Sequence, residues 1–316
     1  MSDTVLCPSC GRKNGLRRTA CIYCGVVLPV TDFSAGVQVP NLAHVEDWER
    51  GYTVVLAPLD TDGPTERQVT RLAEIARLDD ATARAVIETR LSLPIVRVAT
   101  EDEARLVARL LGEAEFGTTI LDDNVLRLRE LSRRVREVRI GDDSIDLLVL
   151  WGDWVRVERD AIQIIVEGRI VDSTVEILEG SGRKRGTLDV QDTSQYFQES
   201  YAIDVYAGSI DESFRLKPDI IDYTCLGIVP SPMLEANFAE LSRQLRQWVG
   251  PSRYDGAYRQ VAKLLEPAWP PTSRVNSGGQ RRRGDFKKYT RSSVTTEALA
   301  QFTRYSRMRF SLTTGV

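Results

Sequence analysis

Histidine is almost absent from this sequence of 316 residues, in which His44 is the only one. A chain with one histidine cannot build a catalytic metal site from several imidazoles, and any Ser-His or Cys-His nucleophile pair would have to use that single residue. Carboxylates are plentiful, but they are spread over predicted helices and turns without the spacing of an acid/base pair. These absences favour a binding protein over an enzyme.

Long apolar runs are absent as well. No run approaches the roughly 20 residues that span a bilayer, and the N-terminus lacks a cationic leader followed by an apolar segment. The net charge is only −3, so the molecule as a whole has no strong attraction to nucleic acid or to a membrane. We therefore expect a cytoplasmic protein without a membrane span, folded into two or three domains at roughly 100 to 200 residues each.

Cysteine is scarce, and its few copies are concentrated near the N-terminus. Four of the five form two CxxC pairs separated by ten residues: Cys7, Cys10, Cys21 and Cys24. Each pair is followed by a glycine, which permits the backbone turn that directs amides at the sulfur atoms. Four thiolates at this spacing are typical of a closed, structural zinc site. The sequence therefore predicts one zinc ion that stabilises the fold and has no coordination position left for catalysis.

Residues 1–28 resemble the short zinc ribbons found at the front of many bacterial proteins. Such ribbons imply a folding or docking module, which serves proteins and nucleic acids alike. The cations between the CxxC pairs either contact phosphate or form a solvated basic loop: Arg12, Lys13, Arg17 and Arg18. Residues 29–50 follow without a sustained hydrophobic period, which predicts a linker.

Residues 51–125 alternate between strand and helix patterns. YTVVLAPL and LPIVRVA are typical of buried strands, two helix patterns lie between them, and one helix pattern precedes the strand-like TTILD. Asp79 is suited to begin the second helix, and Thr100 with Glu103 predicts a capping box at the start of the third. The predicted order is βααβαβ, in a small α/β domain.

This order and the sequence LDDATARAVIETRLSLPIVRVATEDEARLVARLL resemble the fold shared by the C-terminal domain of the ribosomal stalk protein and by the Clp protease adaptor. The matching positions are mostly apolar core positions, including Leu78, Ala83, Leu93 and Leu106. The resemblance implies a fold and a tendency to bind proteins. The pocket residues of the adaptor and the contact lysines of the stalk protein have no counterparts here, so neither specific binding activity is carried over.

Residues 136–250 are predicted to form an antiparallel β domain followed by a helix. DLLVL, YAIDVYA and IDYTCLG are strand-like, with turns at near-regular intervals. SPMLEANFAELSRQLRQWVG then has apolar residues at spacings of three and four, which predicts an amphipathic helix that caps the sheet. About seven strands and one helix resemble, in topology, a pleckstrin-homology-like barrel. That resemblance implies recognition of a ligand or peptide.

Three cations, Arg183, Lys184 and Arg185, lie in a glycine-rich turn of this β domain. In pleckstrin-homology domains a basic hairpin can grip an anionic headgroup, whereas a solvated flexible turn explains the same residues. Cys225 lies in an apolar strand with no histidine near it in sequence, and we expect it to be a buried small apolar residue.

The C-terminal part is predicted as a short helix over 251–271, ended by prolines, and a basic tail over 272–316. The tail is rich in glycine, serine and arginine, so we expect it to be mobile. Between Arg274 and Arg309 it has ten Arg and Lys residues against two carboxylates, interleaved with aromatics. Its candidate contacts with an anion or nucleic acid are Arg281, Arg282, Arg283, Lys287 and Lys288.

The end of the tail has an apolar stripe at a spacing of three, formed by Leu299, Phe302, Tyr305 and Met308. With Thr295 as its cap, a helix this short is marginal in isolation, and the alternation in MRFSL suits a strand at a sheet edge instead. With either structure, we expect this segment to order only by docking on this chain or on a partner.

The sequence thus predicts an α+β, multidomain protein without enzymatic activity. The favoured function is a cytoplasmic adaptor or scaffold that binds protein partners through its α/β domain, its β domain and its tail. The alternative is an RNA- or ribosome-associated factor that uses the basic residues of the ribbon loop and the tail.

Overall fold

The computed structural model describes residues 4–15, 21–26, 28, 45–46, 49–59, 63–181, 188–227, 230–283 and 287–315. For some of these, notably 277–283 and 287–291, it describes the backbone alone. The chain forms two compact units. The first comprises Met1–Val125 and Lys263–Trp269, and the second comprises Leu126–Ala262 and Pro270–Val316. The chain therefore returns to the first unit late in the sequence.

The N-terminal segment forms a short hairpin. Strands β1 (Thr4–Leu6) and β2 (Lys13–Gly15) pair antiparallel, with Val5 opposite Asn14. A two-stranded hairpin of this length is marginally stable in water. Its stability must therefore come from the cysteines that lie on either side of β2.

Residues 51–125 follow the predicted βααβαβ order, which is confirmed. The elements are β3 (Tyr52–Leu56), α1 (Glu66–Ala76), α2 (Asp80–Glu88), β4 (Leu93–Val98), α3 (Glu101–Gly112) and β5 (Thr118–Asp122). Strand β3 is central and pairs antiparallel with both β4 and β5. Val54, Leu72, Ala83, Leu93 and Val107 are fully buried, so the apolar positions predicted from periodicity form the core.

The second and third helices begin where the sequence predicts. The Asp79 side chain accepts a hydrogen bond from the Thr82 amide at 2.8 Å. Thr100 Oγ1 accepts from the Glu103 amide at 3.2 Å, and Glu103 Oε2 accepts from the Thr100 amide at 3.1 Å. Each cap contributes about 1 kcal/mol and fixes the residue at which the chain turns from strand or loop into helix.

A buried ion pair connects the segment before β3 to the sheet. The Arg97 guanidinium on β4 donates from Nη2 to Asp123 Oδ2 at 2.6 Å, and both side chains are buried. It also donates to the carbonyl oxygens of Val45, Glu46 and Glu49, at 3.2, 3.2 and 2.5 Å. Removal of either charge would leave the other buried and unpaired, at a cost of about 3–5 kcal/mol.

The returning segment contributes a tryptophan to the first unit. Trp269 is fully buried, and its Nε1–H donates to Thr53 Oγ1 on β3 at 3.3 Å. A buried indole N–H needs an acceptor, so this hydrogen bond explains why the segment is anchored at that residue.

The second unit is built on one sheet, in which the described residues form nine strands. They are β6 (Arg133–Ile140), β7 (Ser144–Val149), β8 (Trp154–Glu158), β9 (Ile162–Ser181), β10 (Leu188–Ala207), β11 (Ser209–Leu216), β12 (Tyr254–Asp255), β13 (Thr272–Arg283) and β14 (Lys287–Glu297). Their order is β13-β14-β9-β10-β11-β6-β7-β8, with β12 beside β9. Neighbours are antiparallel except β11 with β6 and β12 with β9, which are parallel.

Helices cover both faces of this sheet. The helices of the unit are α4 (Leu234–Val249), α5 (Tyr258–Val261) and α6 (Leu299–Thr314). Phe238 and Leu241 of α4 share an apolar core with Val205 of β10. The next residue, Tyr206, shares a hydrogen bond of 2.8 Å with Ser306 of α6. Because successive residues of a strand point to opposite faces, α4 and α6 lie on opposite sides of the sheet.

In its described residues, 272–283 and 287–315, the basic tail forms two strands and a helix, so the prediction of a mobile segment is wrong there. Strands β13 and β14 pair with each other, and β14 pairs with β9 from Tyr289, opposite Gly180, to Thr296, opposite Ser173. The composition is polar, but the tyrosine, threonine and valine of β14 are residue types that favour strands, and the long edge of β9 provides a partner. Pairing with this edge satisfies backbone groups that a mobile tail would leave to water.

Thr295 does not cap the last helix, so that prediction is also wrong. It lies in β14 opposite Thr174, and α6 begins at Leu299 without a side-chain cap. The carboxylate of Asp172 on β9 accepts from the Ala298 amide at 2.8 Å. Thr295 is therefore part of a strand and too early in the chain to cap the helix. The Asp172 carboxylate, from β9, instead accepts a hydrogen bond from the amide of the residue before the helix.

The short helix predicted over 251–271 is more fragmented in the structure. It consists of α5, with four residues, flanked by β12 and by 3-10 turns at Pro251–Arg253 and Ala262–Leu265. Within the described residues of the second unit, six strands, β6 to β11, precede α4, where the sequence predicts about seven. Within the described ranges, no helix is long and apolar enough to cross a bilayer.

Candidate metal centre

The two CxxC pairs form two turns with the same hydrogen bonds. The Gly11 amide donates to the Cys7 carbonyl and the Gly25 amide donates to the Cys21 carbonyl, both at 2.9 Å. Both glycines have positive φ, at 66° and 72°, a conformation that residues with a side chain rarely adopt. The glycine that follows each pair is therefore required by the turn, as the sequence predicts.

These turns bring all four thiols together. The sulfur atoms of Cys7, Cys10, Cys21 and Cys24 lie within 4.8 Å of one another. Cys7 Sγ is 3.5 Å from Cys24 Sγ, and Cys10 Sγ is 3.6 Å from Cys21 Sγ. A tetrahedral shell with metal–sulfur bonds of about 2.3 Å has sulfur–sulfur edges of about 3.8 Å. The four cysteines are therefore positioned to hold one metal ion.

Backbone amides point at two of the sulfur atoms. The Cys10 amide donates to Cys7 Sγ and the Tyr23 amide donates to Cys21 Sγ, both at 3.4 Å. The amide of Cys10 is the main cause that lowers the pKa of the Cys7 thiol. Burial acts to raise the pKa of the Cys21 thiol, but the amides of Tyr23 and Cys24 and the Asn14 side chain together lower it to about 6. Such thiols ionise readily and so favour metal binding.

Asn14 is a residue of this site that the sequence analysis missed. It is buried on β2, where its Nδ2 donates to Cys21 Sγ at 3.4 Å and to the Arg12 carbonyl at 2.9 Å. Its Oδ1 accepts from the Ile22 amide at 3.0 Å. One side chain thus joins the first turn to the second. A polar residue between two CxxC pairs has no distinctive spacing, so no sequence signal identifies it.

An ion bound by all four cysteines would have no open coordination position for catalysis. Four thiolates fill a tetrahedral shell and leave no position for water or substrate. Cys7 and Cys21 are buried with Leu28 in a small apolar cluster, whereas Cys10 and Cys24 are exposed. This arrangement suits an ion that cross-links the two turns. Elsewhere in the ranges that the structure describes, no other group of Cys, His, Asp and Glu is placed to hold a metal.

The cations between the pairs are only partly described. Arg12 and Lys13 are exposed, and the Arg12 guanidinium lies over the Tyr23 ring, 4.7 Å from its centroid. Arg17 and Arg18 lie outside the described residues, as do His44 and most of the predicted linker over 29–50. The exposed pair of a cation and an aromatic ring is compatible with either a solvated loop or a binding surface.

Several other predicted contacts fall outside what the structure describes. Arg183, Lys184 and Arg185 lie outside the described residues. Arg281, Arg282 and Arg283 are on β13, and Lys287 and Lys288 are on β14, but their side chains are not described. The register nevertheless places Arg282 opposite Lys288 and Arg283 opposite Lys287. The side chain of Cys225 is likewise outside the description.

The apolar stripe of the tail is not available to a partner. Phe302, Tyr305 and Met308 are fully buried within the second unit, and Leu299 is partly buried. Docking on this chain, one of the two predicted outcomes, is thus confirmed, and the assignment of these residues as partner contacts is wrong. The reason is that the second unit itself provides the receiving surface: Phe302 packs in an edge-to-face contact with Tyr258 of α5, with ring centroids 5.1 Å apart.

Two further aromatics, missed in the sequence analysis, are exposed on β10. Tyr196 and Phe197 are 56% and 65% exposed, and they lie opposite Thr174 and Ser173 of β9. The only sequence signal is the pair of adjacent aromatics in a polar strand, DTSQYFQES. That signal is ambiguous, because the same residues in a two-sided core would be buried.

Comparison with known proteins adds no relative from which residues or roles could be transferred. The resemblances of residues 52–122 and 136–250 to known folds therefore stay predictions. The chain matches no protein-family model, no curated protein and no solved structure.

Proposed function

We propose that this chain is a cytoplasmic, non-enzymatic adaptor that binds other proteins, with a structural zinc ion in its four-cysteine centre. Zinc is the ion favoured by a tetrahedral set of four thiolates. When bound, it would cross-link the two turns through Cys7, Cys10, Cys21 and Cys24. The free energy of metal binding would then stabilise a hairpin that is too short to be stable alone.

The observation that carries the binding function is the exposed outer part of the large sheet. We call it the distal ribbon; it comprises residues 171–178, 192–200, 272–276 and 292–297, on four adjacent strands. Tyr196 and Phe197 are adjacent on β10, so they lie on opposite faces of the sheet, and both are exposed. Each face of the distal ribbon therefore presents a large aromatic, the residue class most often found at the centre of protein interfaces.

The edge of β10 supports an extended protein segment as the partner. Strand β11 pairs with β10 only from Ile203 onward, so the described residues of β10 before Ile203 have β9 on one side and no strand on the other. The sequence LDVQDTSQYFQESYA contains no proline to block pairing. An unpaired edge offers backbone donors and acceptors to an added strand, while flanking side chains select the sequence that binds.

Capture of partners by the full-length protein tests this function. A nuclease-treated lysate of the source cell is passed over immobilised protein and over the variant with Tyr196→Ser and Phe197→Ser. We expect the double variant to lose a partner that the parent retains. Val275→Ser is the control, because Val275 is an apolar residue on β13 that is 73% exposed, at the other border of the distal ribbon. Equal retention by all three proteins would contradict the proposal.

Binding of RNA is a second candidate, favoured by the register of the β13–β14 hairpin. Arg281 lies opposite Tyr289, Arg282 opposite Lys288 and Arg283 opposite Lys287. The pairing gathers five basic positions and one aromatic at one end of the hairpin, and RNA is held by phosphate contacts and by stacking.

The dependence on salt separates the two candidates. Each phosphate contact steepens the fall of log affinity with log salt by roughly 0.7 to 0.9. RNA binding by the hairpin should therefore collapse at high salt and on replacement of the five cations by glutamine. Partner capture that survives nuclease and high salt would exclude RNA as the ligand.

A further inference from the structure

The free edge of β10 is bounded at both ends by the fold. At one end, the pairing of β10 with β9 is irregular between Val190 and Asp192, and it is regular from Asp192 past Ile203. At the other end, β11 pairs with β10 from Ile203 onward. Among the described strands, the regular edge without a neighbour therefore runs from Asp192 to Ala202. Phe197 is the middle residue of this edge.

The two border strands of the distal ribbon differ in how well they are protected from pairing. Proteins protect exposed edges with basic residues, proline or bulges, and glycine weakens a strand. Strand β13 contains four arginines and two glycines, and its pairing is irregular between Gly278 and Arg281. The sequence of β10, LDVQDTSQYFQESYAIDVYA, contains no lysine, arginine, glycine or proline. The edge of β10 is therefore the better suited to accept another strand.

We infer that the strand accepted by this edge is the same edge of a second copy of the chain. The inference rests on the proposed function, in which the edge binds an extended protein segment, and it names that segment. Two antiparallel copies of one strand are related by a twofold axis perpendicular to the sheet, so opposite residues lie on the same face. When the axis passes through Phe197, the whole edge is used, because Asp192 lies opposite Ala202 of the second copy.

The side chains of the edge are complementary to themselves in this register. Phe197 lies on the face that carries α4, because it is an even number of residues before Val205, which packs with α4. Aromatic pairs, pairs of an aromatic with a β-branched residue and pairs of hydroxyls all stabilise neighbouring strands. The opposed pairs are Phe197 with Phe197, Gln195 with Glu199 and Thr193 with Tyr201 on the α4 face, and Tyr196 with Gln198 and Ser194 with Ser200 on the other face. Both exposed aromatics of β10 are thereby covered.

Charge does not oppose this pairing. Asp192 faces an alanine of the second copy, and Glu199 faces a glutamine, whose amide can donate to the carboxylate. Within its own chain, Glu199 is held by Arg169 of β9, which donates from Nε at 2.7 Å. The next acid along β10, Asp204, is buried and paired with Arg215. No two like charges are therefore opposed across the two edges.

The symmetric pair also ends the growth of the sheet. Pairing of β10 with β13 of a second copy would leave one edge of each kind free and would continue into a filament, whereas a twofold pair is closed. The outer strands of the closed sheet are then the two copies of β13, which carry the arginines.

Self-association of the full-length protein tests the inference. Sedimentation equilibrium at several concentrations should show a monomer–dimer equilibrium for the parent. Phe197→Lys places two like charges face to face at the axis and should weaken the dimer about tenfold or more. Val275→Lys, at the exposed position on β13, is the matched control and should dimerise like the parent. Because both side chains are exposed, both variants should keep the parent's melting temperature.

Disulfide cross-linking tests the register. Opposite residues of antiparallel strands have Cα atoms about 4.5 to 5.5 Å apart, a separation that a disulfide spans. Under mild oxidation, Phe197→Cys should therefore give a covalent dimer, since residue 197 lies opposite itself. Gln195→Cys, on the same face, lies opposite residue 199 and should give no more covalent dimer than the parent.

The outcomes separate this inference from the proposed function. A parent that is monomeric at every concentration would overturn the inference, even if the distal ribbon retains another protein from the lysate and the proposed function stands. A dimer that survives Phe197→Lys, or equal cross-linking by the two cysteine variants, would overturn it as well. A dimer that dissociates with Phe197→Lys supports the inference, even if no other protein is captured and the proposed function fails.

Discussion

At the residue scale, one buried ion pair links the sheet of the second unit to α6. Asp204 on β10 is fully buried, and Arg215 on β11 donates to both of its carboxylate oxygens, at 2.6 and 2.7 Å. Burial acts to lower the pKa of Arg215, but the charge of Asp204 and its hydrogen bonds raise it above the usual value. Arg215 also donates to Thr303 of α6 at 3.1 Å, so the ion pair reaches the helix.

Asp204→Asn should destabilise the protein by about 3–5 kcal/mol, because Arg215 would stay buried without a counter-charge. The change is measured as a shift in urea unfolding. Asp146→Asn is the matched control: Arg156 binds Asp146 through the same two nitrogens, but this pair is on the surface, so its loss should leave the urea midpoint nearly unchanged. Similar costs for the two variants would show that burial of Asp204 is not the cause.

The close approach of a glycine to α6 gives a second prediction at this scale. A Cβ placed on Gly168 of β9 would lie 2.4 Å from two ring carbons of Phe302. Gly168→Ala should therefore destabilise the second unit by about 1–3 kcal/mol through overpacking. Gly112→Ala is the control, since no atom lies within 4 Å of its Cβ position. A neutral Gly168→Ala, measured by thermal unfolding, would mean that Phe302 does not pack there.

The metal centre gives a third prediction at the residue scale. Protein purified without added zinc should contain one zinc per chain, measured by elemental mass spectrometry. Cys7→Ser should lose the ion, because three thiolates no longer close the shell. Cys225→Ser, outside the two CxxC pairs, should keep it. Acidification should also release the ion, since protons compete for the thiolates. A metal-free parent with four freely titrating thiols would contradict the assignment.

At the scale of elements, local signals identified the cysteine turns and the helix starts of the first unit. The two CxxC pairs with their glycines, the cap at Asp79 and the capping box of Thr100 and Glu103 each act over a few residues, and the structure contains all of them. Because each such signal lies within one turn of chain, it can be identified without knowledge of the tertiary fold. Asn14 is the exception, since its role depends on the approach of the second cysteine turn.

The C-terminal elements could not be predicted in the same way, because their partners are distant in sequence. Strand β14 pairs with β9, more than a hundred residues earlier, and its composition alone is that of a mobile segment. Arg307 is a similar case. By composition it is one of the cations of the basic tail, but its side chain is buried and donates to the carbonyls of Leu126, Arg127 and Glu130. No sequence pattern indicates which distant backbone carbonyls will accept hydrogen bonds from a buried arginine.

At the scale of the whole molecule, the C-terminal segment belongs to the body of the second unit and is not an appended tail. It supplies two strands of the distal ribbon, a helix on one face of the sheet, and Arg307, which donates to the Leu126 carbonyl in the loop before β6. The distal ribbon therefore depends on order in residues that the sequence predicts to be mobile. The first unit likewise contains a residue from late in the sequence, Trp269, which donates a hydrogen bond to Thr53.

Hydrogen–deuterium exchange of the full-length protein without any partner tests this central claim most directly. In α6 and in residues 292–297, amide exchange should be as slow as in the β9 residues that they cover or pair with, because all open only when the second unit unfolds. Trypsin should correspondingly leave Arg304, Arg307 and Arg309 uncut. Complete exchange of residues 292–314 within seconds, while β9 and β10 stay protected, would contradict the account and return this segment to a mobile tail.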